Sequence, residues 1–192
     1  MKYKERVRLC VIFLITFLCV LPAYALIISE INFDPAGTDS DREWLEIFND
    51  STDVDLTAIK FFEANVNHGI KDTGEKSLKT GEYAVLVQDV DKFRIDNPTY
   101  NGKIFTSSFS LSNLGETVSL RTSNGEILNT ATYSQSETGA KDGDTISWDG
   151  SRWIKTVAGP GTGNIIVSGN TSTSTETKSD TSSSTSSSSV TT

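Results

Sequence analysis

The residues in this chain equipped for chemistry are few and scattered. Its single histidine, His68, lies in Asn65-Val66-Asn67-His68-Gly69. No second histidine accompanies it to build a zinc site, which needs several such ligands, so it reads as a surface-loop residue. Serines are plentiful, but none sits in the Gly-x-Ser-x-Gly turn that exposes a nucleophile. No Gly-x-Gly-x-x-Gly or Walker-type loop is present to hold a phosphate. In the loop Asp34–Asp41, Asp34, Asp39 and Asp41 offer some of the six to eight oxygens that calcium takes. Their spacing is not that of an EF-hand, and a solvated acidic loop accounts for the same residues. Glu43 and Glu46 stand three apart on an expected strand and so face opposite sides, which argues against an acid–base pair made of these two. Arg42 pairs with Glu43 or another acid. The sequence therefore assigns no catalytic residue, no metal and no cofactor.

The better candidates are recognition residues. Glu43–Asn49 reads Glu-Trp-Leu-Glu-Ile-Phe-Asn, too short for a helix. As a strand it points Leu45 and Ile47 one way and Trp44, Glu46 and Phe48 the other. Trp148 and Trp153 flank Asp149-Gly150, a hairpin signal that brings the two indoles together. Trp44, Glu46, Phe48, Trp148 and Trp153 form the candidate recognition surface, suited to stacking on sugars or peptide side chains. The alternative is that these aromatics pack under loops, since they bury large areas.

The elements that position these residues lie between two distinctive ends. Lys2, Lys4, Arg6 and Arg8 precede an apolar run from Leu9 to Leu21 and then Pro22-Ala23-Tyr24-Ala25. This is the order of a secretory signal peptide, 1–25, cleaved after Ala25; the run is short for a membrane span. The full chain carries 17 basic and 25 acidic residues, net −8. Without four basic residues and one acid of the leader it carries 13 and 24, net −11. Cys10 and Cys19 leave with the leader, so the mature chain holds neither disulfide nor cysteine metal site. From Ser168 to Thr192 the chain is almost all Ser and Thr, with Val190 its one apolar residue. Residues 165–192 are expected to form a disordered spacer or linker.

Residues 26–164 remain as one domain with its own core. Turn residues recur every 8–12 positions or so, which indicates an all-β sandwich or barrel. Strands are expected at Leu26–Phe33, Glu43–Asn49, Ala58–Glu63, Glu82–Val87 and, more weakly, Ile104–Leu111. Asp89–Ile95 is the one helical turn, capped by Asp89 or Asp91 and stopped by Asn97-Pro98. Asn124-Gly125 turns a hairpin between Thr117–Arg121 and Glu126–Tyr133. A second hairpin joins Thr145–Trp148 to Arg152–Lys155.

With these motifs placed, residues 26–164 resemble the lamin-tail domain family in its bacterial exported form. Ile28-Ser29-Glu30-Ile31 resembles the family's opening strand, and Glu43–Asn49 its most recognisable one. Val54-Asp55-Leu56 matches the turn that follows, and Leu78-Lys79-Thr80-Gly81-Glu82-Tyr83 the approach to the next strand. Leu111–Leu120 with Asn124-Gly125-Glu126 fits the later hairpin, which Tyr133 closes. Gly159-Pro160-Gly161-Thr162-Gly163-Asn164 resembles the Pro-Gly-x-x-Asn ending of bacterial members. Where many members carry Gly-Trp, this chain has Ala58-Ile59; Ile59 is suited to the same core position. The resemblance implies an immunoglobulin-like β-sandwich and a binding or structural module without activity of its own. Lamin tails engage protein and chromatin partners, which do not carry over to an exported domain of net charge −11, a charge that opposes nucleic acid.

Two functions follow as expectations. In the first, the chain is a non-catalytic module displayed in the cell envelope or secreted, with no membrane span in its mature form. Its Ser/Thr-rich spacer carries it, and it meets a protein or cell-envelope polymer. In the second, it is the accessory domain of a longer exported nuclease or hydrolase whose catalytic part lies beyond Thr192.

Overall fold

A computed structural model describes residues 26–163. The expected signal peptide (1–25), Asn164 and the Ser/Thr-rich segment 165–192 lie outside the described residues. The strands, in chain order, are β1 Leu26–Asn32, β2 Trp44–Asn49, β3 Val54–Asp55, β4 Ile59–Glu63, β5 Val66–Gly69, β6 Lys71–Asp72 and β7 Ser77–Leu78. They continue as β8 Tyr83–Val87, β9 Lys103–Thr106, β10 Gly115–Thr122, β11 Ile127–Ser134, β12 Thr145–Trp148 and β13 Trp153–Thr156. Helix α1 spans Val90–Asp96 and α2 Gln135–Thr138. Among the described residues, no helix is long and apolar enough to cross a membrane.

A seven-stranded sheet runs β13-β12-β1-β2-β8-β9-β6, and a four-stranded sheet runs β11-β10-β4-β5. They pack as an immunoglobulin-like β-sandwich. Alternation along the strands sends Ile28, Leu45, Ile47, Ala84 and Leu86 from the first sheet against Phe61, Val118, Leu120 and Ala131 from the second, in one core. Ile59 is buried in that core, in the place where a tryptophan was the family expectation. Each such side chain withdrawn from water contributes about 1.5–3 kcal/mol before entropy is counted.

The larger sheet has its second face covered as well. β8 and β9 are parallel, and α1 is the crossover between them, as parallel neighbours require. Asp89 caps α1 by accepting a hydrogen bond from Lys92 N at 2.9 Å. The helix lays Phe93 onto Trp44, Val85, Val87 and Ile104, a second apolar cluster. Trp44 meets Phe93 edge to face, with centroids 5.8 Å apart.

Both expected hairpins form, the second with Trp148 directly opposite Trp153. The expected strand Ile104–Leu111 stops at Thr106; beyond it the chain bonds laterally, Leu111 N donating to the Glu43 carboxylate at 2.9 Å. His68 is not in a loop. It lies on β5, paired with Phe61 of β4, after a turn in which Ala64 and Asn65 both take positive φ (45° and 65°). Two successive left-handed residues match a tight hairpin turn, but alanine there carries no turn signal to read.

Candidate binding site

The predicted recognition surface divides in two. Trp44, Glu46 and Phe48 do not face solvent: they are 1%, 1% and 7% exposed. The expectation that this strand face is open fails because three separate elements roof it. Helix α1 covers Trp44. Tyr83 of β8 packs on Phe48, with centroids 4.6 Å apart. The segment after β13, residues 157–163, closes over Glu46 through the amide of Gly161, which donates to Glu46 Oε2.

Trp148 and Trp153 behave differently. They are cross-strand partners on the edge hairpin, both half-buried, with ring centroids 5.6 Å apart at 61°. Trp153 packs partly on the main core, which fixes the hairpin against the body of the domain. A cleft flanks the pair on either side. One, of about 340 Å³, is lined by Thr132, Ser134, Glu137, Thr138 and Arg152 together with the indoles. The other, of about 470 Å³, runs between the hairpin and β11, past Ile27, Ile28, Asn129 and Thr130. Two fixed indoles beside hydroxyl and amide groups can stack on a flat or puckered ring and hydrogen-bond its substituents.

The polar candidates fall into separate corners. Asp34 and Asp39 share the amide of Asn113, which donates to them at 3.1 and 2.7 Å. Asp41 turns to Lys92, with Nζ to Oδ2 at 2.8 Å. Among the described residues, no three acidic or imidazole side chains are arranged to hold a metal ion. Arg42 pairs with Asp96 at 3.0 Å rather than with Glu43. Glu43 is buried, held by Gln88 Nε2 at 2.7 Å and the Leu111 amide. Desolvation, with Asp39, Glu116 and Glu63 nearby, pushes its pKa up to about 7.

His68 comes closest to a nucleophile relay. Its Nδ1 is 3.5 Å from Ser108 Oγ, and its Nε2 is 3.0 Å from Glu63 Oε1. The second contact is not an aligned hydrogen bond: Nε2 has no hydrogen-bond partner, and Glu63 Oε1 accepts from the Ser110 amide at 3.4 Å. A working triad has the carboxylate orient the ring as a base through an aligned hydrogen bond.

Sequence reasoning missed a different pair. Glu30 and Glu46 are direct partners across β1 and β2, beside a β-bulge between Ile28 and Glu30. The available signal was a lone glutamate within each of two apolar runs, Ile-Ile-Ser-Glu-Ile and Trp-Leu-Glu-Ile-Phe. Beside this pair a cleft of about 870 Å³ opens between Tyr83, Tyr100, Arg94 and Lys103, with Pro160 and Gly161 forming one wall.

The Lamin Tail Domain family model matches residues 22–135. The chain belongs to the lamin tail domain family. Comparison with curated proteins and with solved structures finds no match. The matched stretch of the lamin tail domain ends just past β11, so β12, β13 and the closing segment 157–163 follow it in the chain. Yet β12 pairs with β1, Ile31 opposite Ile146, and completes the larger sheet. The tryptophan hairpin is thus an addition to the matched stretch that is built into the same sandwich.

Proposed function

We propose that this lamin tail domain is an exported, non-catalytic binding module that meets a protein or cell-envelope polymer through Trp148 and Trp153. The observation that carries the reading is the pair of half-buried indoles fixed on an edge hairpin between two clefts. Export rests on the basic, apolar and Ala-x-Ala order of residues 1–25. The Ser/Thr-rich residues 165–192 serve as the spacer between the domain and whatever it is displayed on. The acidic balance of the chain disfavours nucleic acid as the partner. The misaligned His68 favours binding over hydrolysis.

Co-sedimentation with insoluble cell-wall polymer, together with tryptophan fluorescence, tests the reading. The unaltered protein sediments with the polymer and its emission shifts. Trp148→Ala and Trp153→Ala each weaken binding by at least ~10-fold, the usual scale for a buried aromatic anchor. Undiminished binding by both variants overturns the assignment of the surface. Covalent labelling of Ser108 by a fluorophosphonate overturns the non-catalytic reading.

A further inference from the structure

Glu30 and Glu46 are 2% and 1% exposed and stand side by side on one sheet face. Among the described residues, no lysine, arginine or histidine forms an ion pair with either. Their partners are neutral donors. Thr145 Oγ1 donates to Glu30 Oε1 at 2.7 Å, and Ser29 Oγ donates to Glu46 Oε1 at 2.6 Å. The remaining donors come from the segment after β13: Gly159 N reaches Glu30 Oε1 at 3.1 Å, and Gly161 N reaches Glu46 Oε2.

That segment is a strap of residues 157–163, laid flush on the pair. A Cβ on Gly161 would sit 3.1 Å from the Tyr100 ring, and one on Gly163 would run into the Tyr83 hydroxyl. The strap brings little apolar surface of its own to the contact. Val157 is 85% exposed, and Ala158, Gly161 and Thr162 are also exposed. Polar contacts to two carboxyl groups are therefore its main attachment, and the strap forms part of their cover.

We propose that the strap is a proton-dependent latch: it lies closed while the Glu30–Glu46 pair holds a proton and lifts when both carboxyls ionise. The strap amides of Gly159 and Gly161 favour an ionised carboxyl, but the larger effect is burial: two adjacent negative charges without a cation repel each other and need water, which the closed strap excludes. Lifting readmits water and widens the cleft that Pro160 and Gly161 wall off. On the cleft side of the strap stand Arg94 and the Lys103–Glu82 ion pair, 2.7 Å apart, with Glu75 beside it. Tyr83 from β8 and Tyr100 from the loop after α1 are the ionisable groups that feel Glu46, and burial raises both above the ordinary phenol value. From β12 and β13 the nearest polar groups are the hydroxyls of Thr145, Ser147 and Thr156, linked to one another. Burial raises the pKa of Glu30 to about 7 and raises that of Glu46, in keeping with a pair that favours one proton when covered. The latch is independent of the tryptophan site.

Amide hydrogen exchange of the full chain, corrected for the intrinsic effect of pH, tests it between pH 5 and pH 8. Protection at Gly159 and Gly161 falls by at least ~10-fold across that range, one decade per unit of pKa difference between open and closed forms. The central-strand amide of Leu86 stays more slowly exchanging at both pH values. In Glu30→Gln/Glu46→Gln, whose side-chain carbonyls still accept from the strap, the pH dependence disappears. Protection at Gly159 and Gly161 that does not change with pH in the unaltered protein overturns the latch. So does a loss shared in equal factor by Leu86 that persists in Glu43→Gln, which would make the pair a determinant of global stability only. Carbon-13 titration of the glutamate carboxyls, which needs no variant, overturns it if both titrate at ordinary values.

Discussion

Glu30 and Glu46 are paired residue to residue across β1 and β2, and each receives a backbone N–H from the same seven-residue strap, 157–163. A folded domain seldom buries an acid without a cation to meet it. Here the acids are met by hydroxyls and by glycine amides, and the consequence is measurable in the whole domain.

Stability should fall as pH rises through neutrality. Burial lifts the pKa of Glu30 and of Glu43 to about 7 in the folded state, above the ordinary 4.5. A carboxyl whose folded pKa is raised binds its proton more tightly when folded. Its stabilising contribution is therefore complete below about pH 4.5 and is lost as pH passes through about 7. At ~1.4 kcal/mol per unit, the loss is on the order of 3 kcal/mol per carboxyl as an upper bound. Urea unfolding at pH 5 and pH 8 reads it directly, and Glu43→Gln removes its share of the slope.

The two tryptophan environments should separate cleanly. Trp44→Ala empties the cluster under α1 and costs about 3–5 kcal/mol. Trp148→Ala, from a half-buried site, costs about 1–2 kcal/mol while weakening polymer binding by at least ~10-fold. Thermal melts and polymer binding on the same two variants show which tryptophan serves the fold and which the surface. Equal destabilisation would assign Trp148 to packing.

Gly115 opens β10 at φ 122°, and a Cβ there would meet the Tyr133 carbonyl and lie 2.7 Å from Ser134 Cα. Both obstacles are backbone of the partner strand and cannot swing aside. Gly115→Ala should cost more than about 2 kcal/mol, with selective loss of amide protection in β10 and β11.

Asn129 ties the two sheets together at their shared corner. Its Oδ1 accepts the Ile28 amide at 3.1 Å, beside the β1 bulge where the ladder is interrupted. Asn129→Ala leaves that amide without its acceptor and should cost about 1–2 kcal/mol. Asn129→Asp, which keeps an acceptor, should recover most of the loss in a denaturation series.

Local patterns determined much of this protein. Alternating apolar residues placed β1, β2, β4 and β8, Asn124-Gly125 and Asp149-Gly150 placed both hairpins, and Asp89 placed the start of α1, because each signal acts over a few neighbouring residues. The order of those signals also carried the family. Tertiary structure decided which polar strand face was open. Trp44, Glu46 and Phe48 alternate with core residues as solvent-facing side chains would. Whether such a face stays wet depends on a helix from 90–96, Tyr83 of β8 and a strap from 157–163 arriving over it, and alternation along one strand cannot register a roof supplied from elsewhere in the chain. The same limit hid the Glu30–Glu46 pair: opposing residues meet only once two strands are in register, and a bulge shifts that register.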